Sequence, residues 1–158
     1  MLALAAPAQA QVPMTADSLK LVLAAAADIS SQVRRRTNQD AAAQQRAQAL
    51  VQDYAKHNAE PCEYPQGHAE LCANYDRERS DLNQRSADLQ KELKAIDTPR
   101  RALRAQFGVL MTRLRTATYA PALASQKARL IACSNLNGVS EAAGCLASLQ
   151  SPARRPAN

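Results

Sequence analysis

Four cysteines stand in two close pairs, Cys62 with Cys72 and Cys133 with Cys145. Paired thiols support two kinds of chemistry, oxidation to disulfides or coordination of a soft metal ion. Each local disulfide would close a loop of about ten residues, which in the chain-entropy model stabilises a fold by roughly 3 kcal/mol. We expect these two local bonds, because four cysteines allow three connectivities and this one joins the nearest neighbours.

The metal alternative involves the first pair and the two histidines of the chain. His57, Cys62, His68 and Cys72 supply two imidazoles and two potential thiolates, a ligand set that zinc accepts. Zinc modules usually pair like ligands as C-x2-4-C or H-x3-5-H, whereas histidine and cysteine alternate here. We therefore favour disulfides with solvated histidines, and predict no metal and no cofactor.

Acidic residues crowd the region after the second histidine, at Glu70, Asp76, Glu78 and Asp81. Paired carboxylates can act as general acid and base, but a helix N-terminus also favours acidic residues through its dipole. The chain has no G-x-S-x-G motif and no glycine-rich phosphate loop. We expect a protein that is not an enzyme.

The charge of the chain changes sign along its length. Residues 1–97 carry 11 Lys or Arg and 13 Asp or Glu, a net charge of −2, whereas residues 98–158 carry 9 and 1, a net charge of +8. A basic surface of this kind attracts anionic partners such as envelope lipid or nucleic acid. The alternative is a solubilising face, since no aromatic residues are interleaved with the arginines. The anion-binding candidates are Arg100, Arg101, Arg104, Arg113 and Arg115.

The elements that carry these residues are predicted to be helices. The chain has neither Gly nor Pro from Met14 to Glu60, which favours one long helix, capped by Thr15 or Asp17 and ending near Asn58. Alternating steps of four and three residues define a heptad-like seam on it. The seam consists of Val22, Ala26, Ile29, Val33, Arg36, Asp40, Ala43, Ala47, Leu50, Tyr54 and His57.

The middle of this seam is polar. Arg36 and Asp40 lie four residues apart and could pair along the helix, or the seam could turn outward or the helix bend there. We favour the second interpretation.

A second amphipathic helix is predicted from about residue 69 to Asp97, after a turn with two prolines and a glycine. Its stripe consists of Tyr75, Arg79, Leu82, Ser86, Leu89, Leu93 and Ile96. The short connection predicts an antiparallel hairpin with the first helix. Thr98 and Pro99 offer a cap and a proline at the first position of a third helix, which should run to about Thr118. Shorter helices are predicted at 122–133 and 140–149.

These elements predict an all-α fold class. Residues 11–97 form a long, antiparallel, coiled-coil-like helical hairpin, and residues 98–150 form a shorter, basic, C-terminal helical portion that packs on it. Two local disulfides staple the fold. Residues 151–158 contain two prolines and two arginines, and are expected to be a disordered tail.

The N-terminal residues 1–10 end in Ala8-Gln9-Ala10, the small-residue pattern of a signal cleavage site. We interpret them as the remnant of a signal peptide, the alternative being an Ala-rich cytosolic tail. Together with the disulfides, this predicts a periplasmic or secreted protein. No run approaches about 18 consecutive apolar residues, so no transmembrane segment is predicted.

The predicted function is a noncatalytic helical interaction or scaffold protein, exported to a bacterial-type envelope or to the secreted fraction. It would bind a protein partner or self-associate through its helices. The alternative is a module that binds envelope lipid or nucleic acid through the basic C-terminal half.

Overall fold

The computed structural model describes residues 12–59, 62 and 72–150. They form four α-helices, with a short 3-10 helix before the third, and no β-strand. The long helices α1 and α2 pack together, and the all-α prediction is confirmed. The helices are α1 (Ala16–Ala59), α2 (Ala73–Thr116), α3 (Ala124–Ser134) and α4 (Val139–Gln150), and the 3-10 helix is Pro121–Leu123.

Helix α1 begins with the predicted cap. The Thr15 hydroxyl accepts a hydrogen bond from the Ser18 amide at 3.3 Å, and the Ser18 hydroxyl accepts one from the Thr15 amide at 2.9 Å. This reciprocal pair satisfies donors that a helix start leaves free. One residue earlier, the Met14 amide donates to the Thr118 carbonyl at 2.7 Å, and the Ala120 amide donates to the Met14 carbonyl at 3.0 Å. The entry into α1 is thereby fixed to the segment that follows α2.

The described residues divide into two compact units. We call the residues up to Val33 together with those from Leu103 onward the four-helix unit, and Arg34–Ala102 the hairpin unit. Both long helices contribute a segment to each unit, whereas α3 and α4 belong to the four-helix unit alone.

The four-helix unit contains one hydrophobic cluster to which all four helices contribute. The disulfide Cys133–Cys145 joins α3 to α4 beside this cluster, with a Cα–Cα distance of 5.4 Å. The buried members are Met14, Leu19, Val22, Leu23, Ala26, Ile29, Val33, Phe107, Met111, Leu114, Leu123, Leu130, Cys133, Ala142 and Leu146.

The hairpin unit has a much thinner interior. Besides Cys72, its buried apolar residues are Ala43, Leu50, Leu82 and Ile96. Ion pairs between α1 and α2 supplement this core. They are Asp40 with Arg100 at 2.7 Å, Arg46 with Glu92 at 2.6 Å and Asp53 with Arg85 at 2.9 Å. Along these three pairs the residue number on α2 falls as the residue number on α1 rises, which confirms the antiparallel hairpin.

The predicted seam of α1 is confirmed along its whole length, since each of its residues is buried or half-buried. On α2 the predicted stripe is also buried or half-buried, except at Arg79, which is exposed. The expectation that the seam turns outward at its polar centre is wrong, because Arg36 and Asp40 are both half-buried. A carboxylate is tolerated there because Asp40 pairs with Arg100 across the hairpin.

The predicted helix break at Thr98–Pro99 is wrong. Helix α2 continues through this position, with Pro99 in its interior, and the second and third predicted helices are one. A proline inside a helix removes one backbone hydrogen bond and costs about 3 kcal/mol. Asp97 offsets part of this cost, since its carboxylate pairs with Arg100 at 2.9 Å and Arg101 at 2.6 Å across the turn that contains the proline.

The register of α2 gives a second reason for its continuity. The stripe that ends at Ile96 continues at Arg100, Leu103 and Phe107, again in steps of four and three. A single uninterrupted helix keeps all of these positions on one face. Burial of that face favours continuation over a break.

Among the described residues, none of the helices is both long and apolar enough to span a membrane. The predicted signal remnant at 1–10 and the predicted tail at 151–158 lie outside the described residues.

Candidate functional site

A cavity of about 900 Å³ opens between α1 and α2 in the hairpin unit. It lies at the end of the hairpin that carries the Cys62–Cys72 disulfide, and Cys62 is part of its wall. Charged side chains of both signs surround one aromatic pair. The other described residues that line it are Asp53, Lys56, His57, Tyr75, Arg77, Glu78, Asp81, Leu82 and Arg85.

The buried imidazole of His57 is the distinctive group of this cavity. The residue is 8% exposed, and its ring stacks on Tyr75 with a centroid distance of 3.8 Å and an interplanar angle of 18°. Neither ring nitrogen has a hydrogen-bond partner among the described residues. Nδ1 lies 3.5 Å from a carboxylate oxygen of Glu78, within ion-pair distance but without hydrogen-bond geometry. An unpartnered buried polar group is costly in folded proteins.

The charged residues of the cavity differ in how they are engaged. Arg85 lies 2.9 Å from Asp53 and 3.9 Å from Asp81, so two carboxylates share one guanidinium. Lys56 and Arg77 are exposed cations in the same wall. The charged side chains that are described in the wall are thus of both signs, with the Glu78 carboxylate next to the imidazole.

Both predicted disulfide pairings are confirmed. Cys62 and Cys72 have a Cα–Cα distance of 5.7 Å. Cys62 is partly buried, and Cys72 is 1% exposed.

The cysteines of the zinc alternative are not free to bind a metal ion. Cys62 and Cys72 are bonded to each other, and His68 lies outside the described residues. Across the described ranges, no group of three or more His, Cys, Asp or Glu side chains is placed to hold a metal ion.

A second, smaller concavity of about 310 Å³ lies further along the hairpin unit. Leu50, Leu89 and Ala49 supply its apolar surface. Arg46, Arg85, Asp88 and Glu92 supply charges of both signs. We call this concavity the hairpin groove.

Two of the predicted anion-binding arginines lie in the hairpin unit and are engaged in ion pairs. Arg100 donates to Asp40 at 2.7 Å and to Asp97 at 2.9 Å, and Arg101 lies 2.6 Å from Asp97. The hydrogen bond from Arg100 is the main cause that lowers the pKa of the Asp97 carboxyl. The hydrogen bond to Asp97 is also the main cause that raises the pKa of Arg100 above its ordinary value, and the hydrogen bond to Asp40 is the second cause.

The other three candidates lie in the four-helix unit. Arg115 donates to the Ser134 carbonyl at 2.9 Å and to the Thr112 hydroxyl at 3.0 Å. Arg104 and Arg113 are exposed. Three of the five arginines thus have partners within the protein, and Arg104 and Arg113 are the candidates left for an external anion.

Sequence reasoning treated His57 as a solvated turn residue, and the structure shows it buried. Its position at the end of the α1 seam was the available signal, since a seam position faces the partner helix. The pairing of Asp40 with Arg100 was also missed. Both occupy seam positions, but their alignment depends on how the two helices are offset.

Comparison with protein-family models, with curated proteins and with solved structures finds no match for this chain. Function is therefore inferred from the residues and geometry above.

Proposed function

We propose that the protein is a noncatalytic, exported helical interaction protein whose hairpin unit binds an amphipathic helix of a protein partner. The observation that supports this most directly is the hairpin groove. Leu50 and Leu89 give it an apolar floor, and charges of both signs flank it. An amphipathic helix, with one apolar stripe and charged flanks, matches such a surface.

The thin core of the hairpin unit supports the same proposal. Among its described residues two helices pack together, and Ala47 and Tyr54 of the α1 seam and Leu89 and Leu93 of the α2 stripe are only partly buried. A third helix laid along the groove would remove apolar surface of Ala49 and Leu89, which line it, from water, at about 25 cal/mol per Å². Flanking charges on the partner helix would then select its orientation, as they do in coiled coils.

Export is proposed from the two disulfides, which persist in oxidising compartments. The intact mass of the protein recovered from the periplasm or the medium, with and without reductant, tests this. We expect loss of residues 1–10 and a mass gain that corresponds to reduction of two disulfides. An unprocessed chain with four alkylatable thiols would contradict export.

The interaction proposal is tested by site-specific photo-crosslinking in the producing cell. A photoreactive residue replaces Ala49 in the hairpin groove or, as a matched control, Ala95, an exposed alanine of α2 that does not line the groove. We expect one defined protein adduct from position 49 and none from position 95. Leu89→Glu should abolish the adduct, because it places a charge on the apolar floor. Equal adducts at both positions, or none at position 49, would contradict the proposal.

The alternative function, anion binding by the basic C-terminal half, now depends on Arg104 and Arg113. It is ranked second because Arg100, Arg101 and Arg115 have partners within the protein.

A further inference from the structure

We propose that the four-helix unit binds one single-chain anionic amphiphile, of the fatty-acid class, in a pocket between the start of α1, the first part of α3 and the end of α4. The proposal concerns the four-helix unit and is independent of the partner-helix function of the hairpin unit. The pocket has a volume of about 400 Å³, within the range of roughly 300–1,000 Å³ that small-molecule sites occupy. We call it the leucine pocket after its apolar lining residues, which are Ala16, Leu19, Leu23, Leu123, Leu130 and Leu149.

The floor of the leucine pocket is the hydrophobic cluster of the unit itself. Leu19, Leu23, Leu123 and Leu130 belong to that cluster and are buried, and Leu149 packs against it. Leucine side chains offer no hydrogen bond, so a polar group that entered would lose its hydrogen bonds to water without replacement. A hydrocarbon chain loses none, and its binding becomes more favourable with each methylene group that leaves water. The floor therefore selects an acyl chain.

The walls of the leucine pocket are fixed to one another within the protein. The Cys133–Cys145 disulfide joins α3 to α4, and each cysteine lies within one turn of a leucine that lines the pocket. At the other wall, Met14 makes backbone hydrogen bonds to Thr118 and Ala120, which hold the start of α1 against the segment that leads into α3. A preformed pocket binds more tightly because the ligand does not have to order it.

The polar residues of the leucine pocket favour an anionic headgroup. They are Lys20, Gln126 and Gln150, all three exposed at its mouth, and Lys20 is the one charged side chain among the described residues that line it. Lys20 lies 3.6 Å from Asp17, in a pair whose side chains are 79% and 92% exposed. Such an exposed pair is weak, so the ammonium group is available to a carboxylate at the mouth. The two glutamine amides can also donate hydrogen bonds to that carboxylate.

The net charge of the surrounding unit favours the same headgroup. The described residues of the four-helix unit carry six Lys or Arg and three Asp or Glu, a net charge of +3. A surface with such an excess attracts anions and opposes cations. Two amphiphiles with the same chain and opposite headgroup charge should therefore bind with different affinities.

The ligand class is tested by titration of the native, full-length protein with laurate below its micelle concentration. Calorimetry gives the stoichiometry and affinity, and NMR of the leucine methyl groups locates the site. We expect one laurate per protein, with shifts at Leu19, Leu23 and Leu123 and none at Leu50 and Leu89 of the hairpin groove. Dodecyltrimethylammonium, which has a chain of the same length and a cationic headgroup, should bind the pocket about tenfold more weakly.

Several results of this titration would overturn the proposal. They are no binding of laurate, several laurates per protein, and methyl shifts spread over both units. Equal affinity for laurate and dodecyltrimethylammonium would overturn the selection of an anion.

The location of the acyl chain is tested with Ala16→Phe, which fills the mouth of the leucine pocket from an exposed position. The matched control is Ala24→Phe, at an exposed alanine of α1 that does not line the pocket. We expect laurate affinity to fall about tenfold or more in Ala16→Phe and to stay unchanged in Ala24→Phe, because only the first phenylalanine excludes the chain. Circular dichroism checks that both variants are folded. Equal affinities in the two variants would overturn the assignment of the pocket.

The role of Lys20 is tested with Lys20→Gln, which keeps a polar side chain but removes the charge. Lys127→Gln removes an equal charge from an exposed position of α3 outside the lining, and is the matched control. We expect laurate affinity to fall about threefold in Lys20→Gln, as for an exposed ion pair, and to stay unchanged in Lys127→Gln. Equal losses in the two variants would show that net charge alone acts on laurate, and would remove Lys20 from the site.

Discussion

Arg100 on α2 donates a hydrogen bond to Asp40 on α1 across 2.7 Å, and the two side chains are only 18% and 16% exposed. Both residues occupy seam positions, where an apolar side chain is usual. A charged pair in such a place contributes little net stability, because desolvation opposes the attraction. The pair does fix the axial alignment of α1 with α2. Any other alignment would separate Asp40 from Arg100 and leave a half-buried charge without its partner.

The first prediction concerns removal of one member of this pair. Asp40→Ala should destabilise the fold by about 1–3 kcal/mol in urea unfolding, because Arg100 loses a half-buried partner. Asp53→Ala is the matched control, since its ion pair with Arg85 is more exposed, at 39% and 49%, and should cost only about 0–1 kcal/mol. Equal losses in the two variants would show that the position in the seam is irrelevant.

The second prediction concerns removal of both charges. The double variant Asp40→Leu and Arg100→Leu should be as stable as the natural protein or more stable, because buried ion pairs are often replaceable by apolar side chains. It should also form dimers, since the charged pair that specifies one alignment of the two helices is lost. Asp97 retains Arg101 as a partner in this variant. Size-exclusion chromatography with light scattering measures the outcome, and a purely monomeric, less stable variant would refute the register role.

The third prediction concerns the pH dependence of Asp97. The hydrogen bond from Arg100 is the first cause that lowers the pKa of this carboxyl below its ordinary value of 3.8. A carboxyl with a lowered folded-state pKa stabilises the fold above its unfolded-state pKa and loses that contribution as the pH falls through the folded value. Unfolding of the natural protein and of Asp97→Asn should therefore differ at neutral pH and converge in acid. A constant difference down to strongly acidic pH would contradict the assignment.

The agreement between sequence and structure is closest where periodicity carries the information. The α1 seam from Val22 to His57 was predictable because steps of four and three residues report which face of a helix is buried. The prediction of a helix break at Pro99 was wrong because a threonine followed by a proline is also typical of a helix start. The unbroken step from Ile96 to Arg100 and Leu103 was visible in the sequence and would have favoured continuity.

The cavity was less predictable than the helices. Which residues line the cavity depends on the axial offset between α1 and α2. This offset places His57 against Tyr75 and near Glu78. No local pattern reports that offset. The spacing of Cys62 and Cys72 was sufficient to predict their pairing, but the burial of Cys72 depends on the surrounding packing.

The fourth prediction concerns Pro99. Since α2 passes through this residue, Pro99→Ala should restore a backbone hydrogen bond in the helix interior and raise the unfolding free energy by about 1–3 kcal/mol. The gain is smaller than the full cost of an interior proline because alanine leaves the unfolded chain more flexible. Urea unfolding and helical circular dichroism measure the effect. A loss of stability would indicate that the proline is needed for the geometry of α2.

The last prediction concerns the arginines left for an external anion. Replacement of Arg104 and Arg113 by Gln should shorten retention on heparin and make the salt dependence of binding less steep by about one unit for each lost phosphate-like contact, if this surface binds anions. Arg34→Gln with Arg35→Gln removes the same charge from exposed positions outside the predicted anion-binding set, and serves as the matched control. A larger effect of the Arg104 and Arg113 pair would support the second-ranked function. Equal effects of the two double variants would show that heparin retention depends on the net charge of the chain and not on a specific surface.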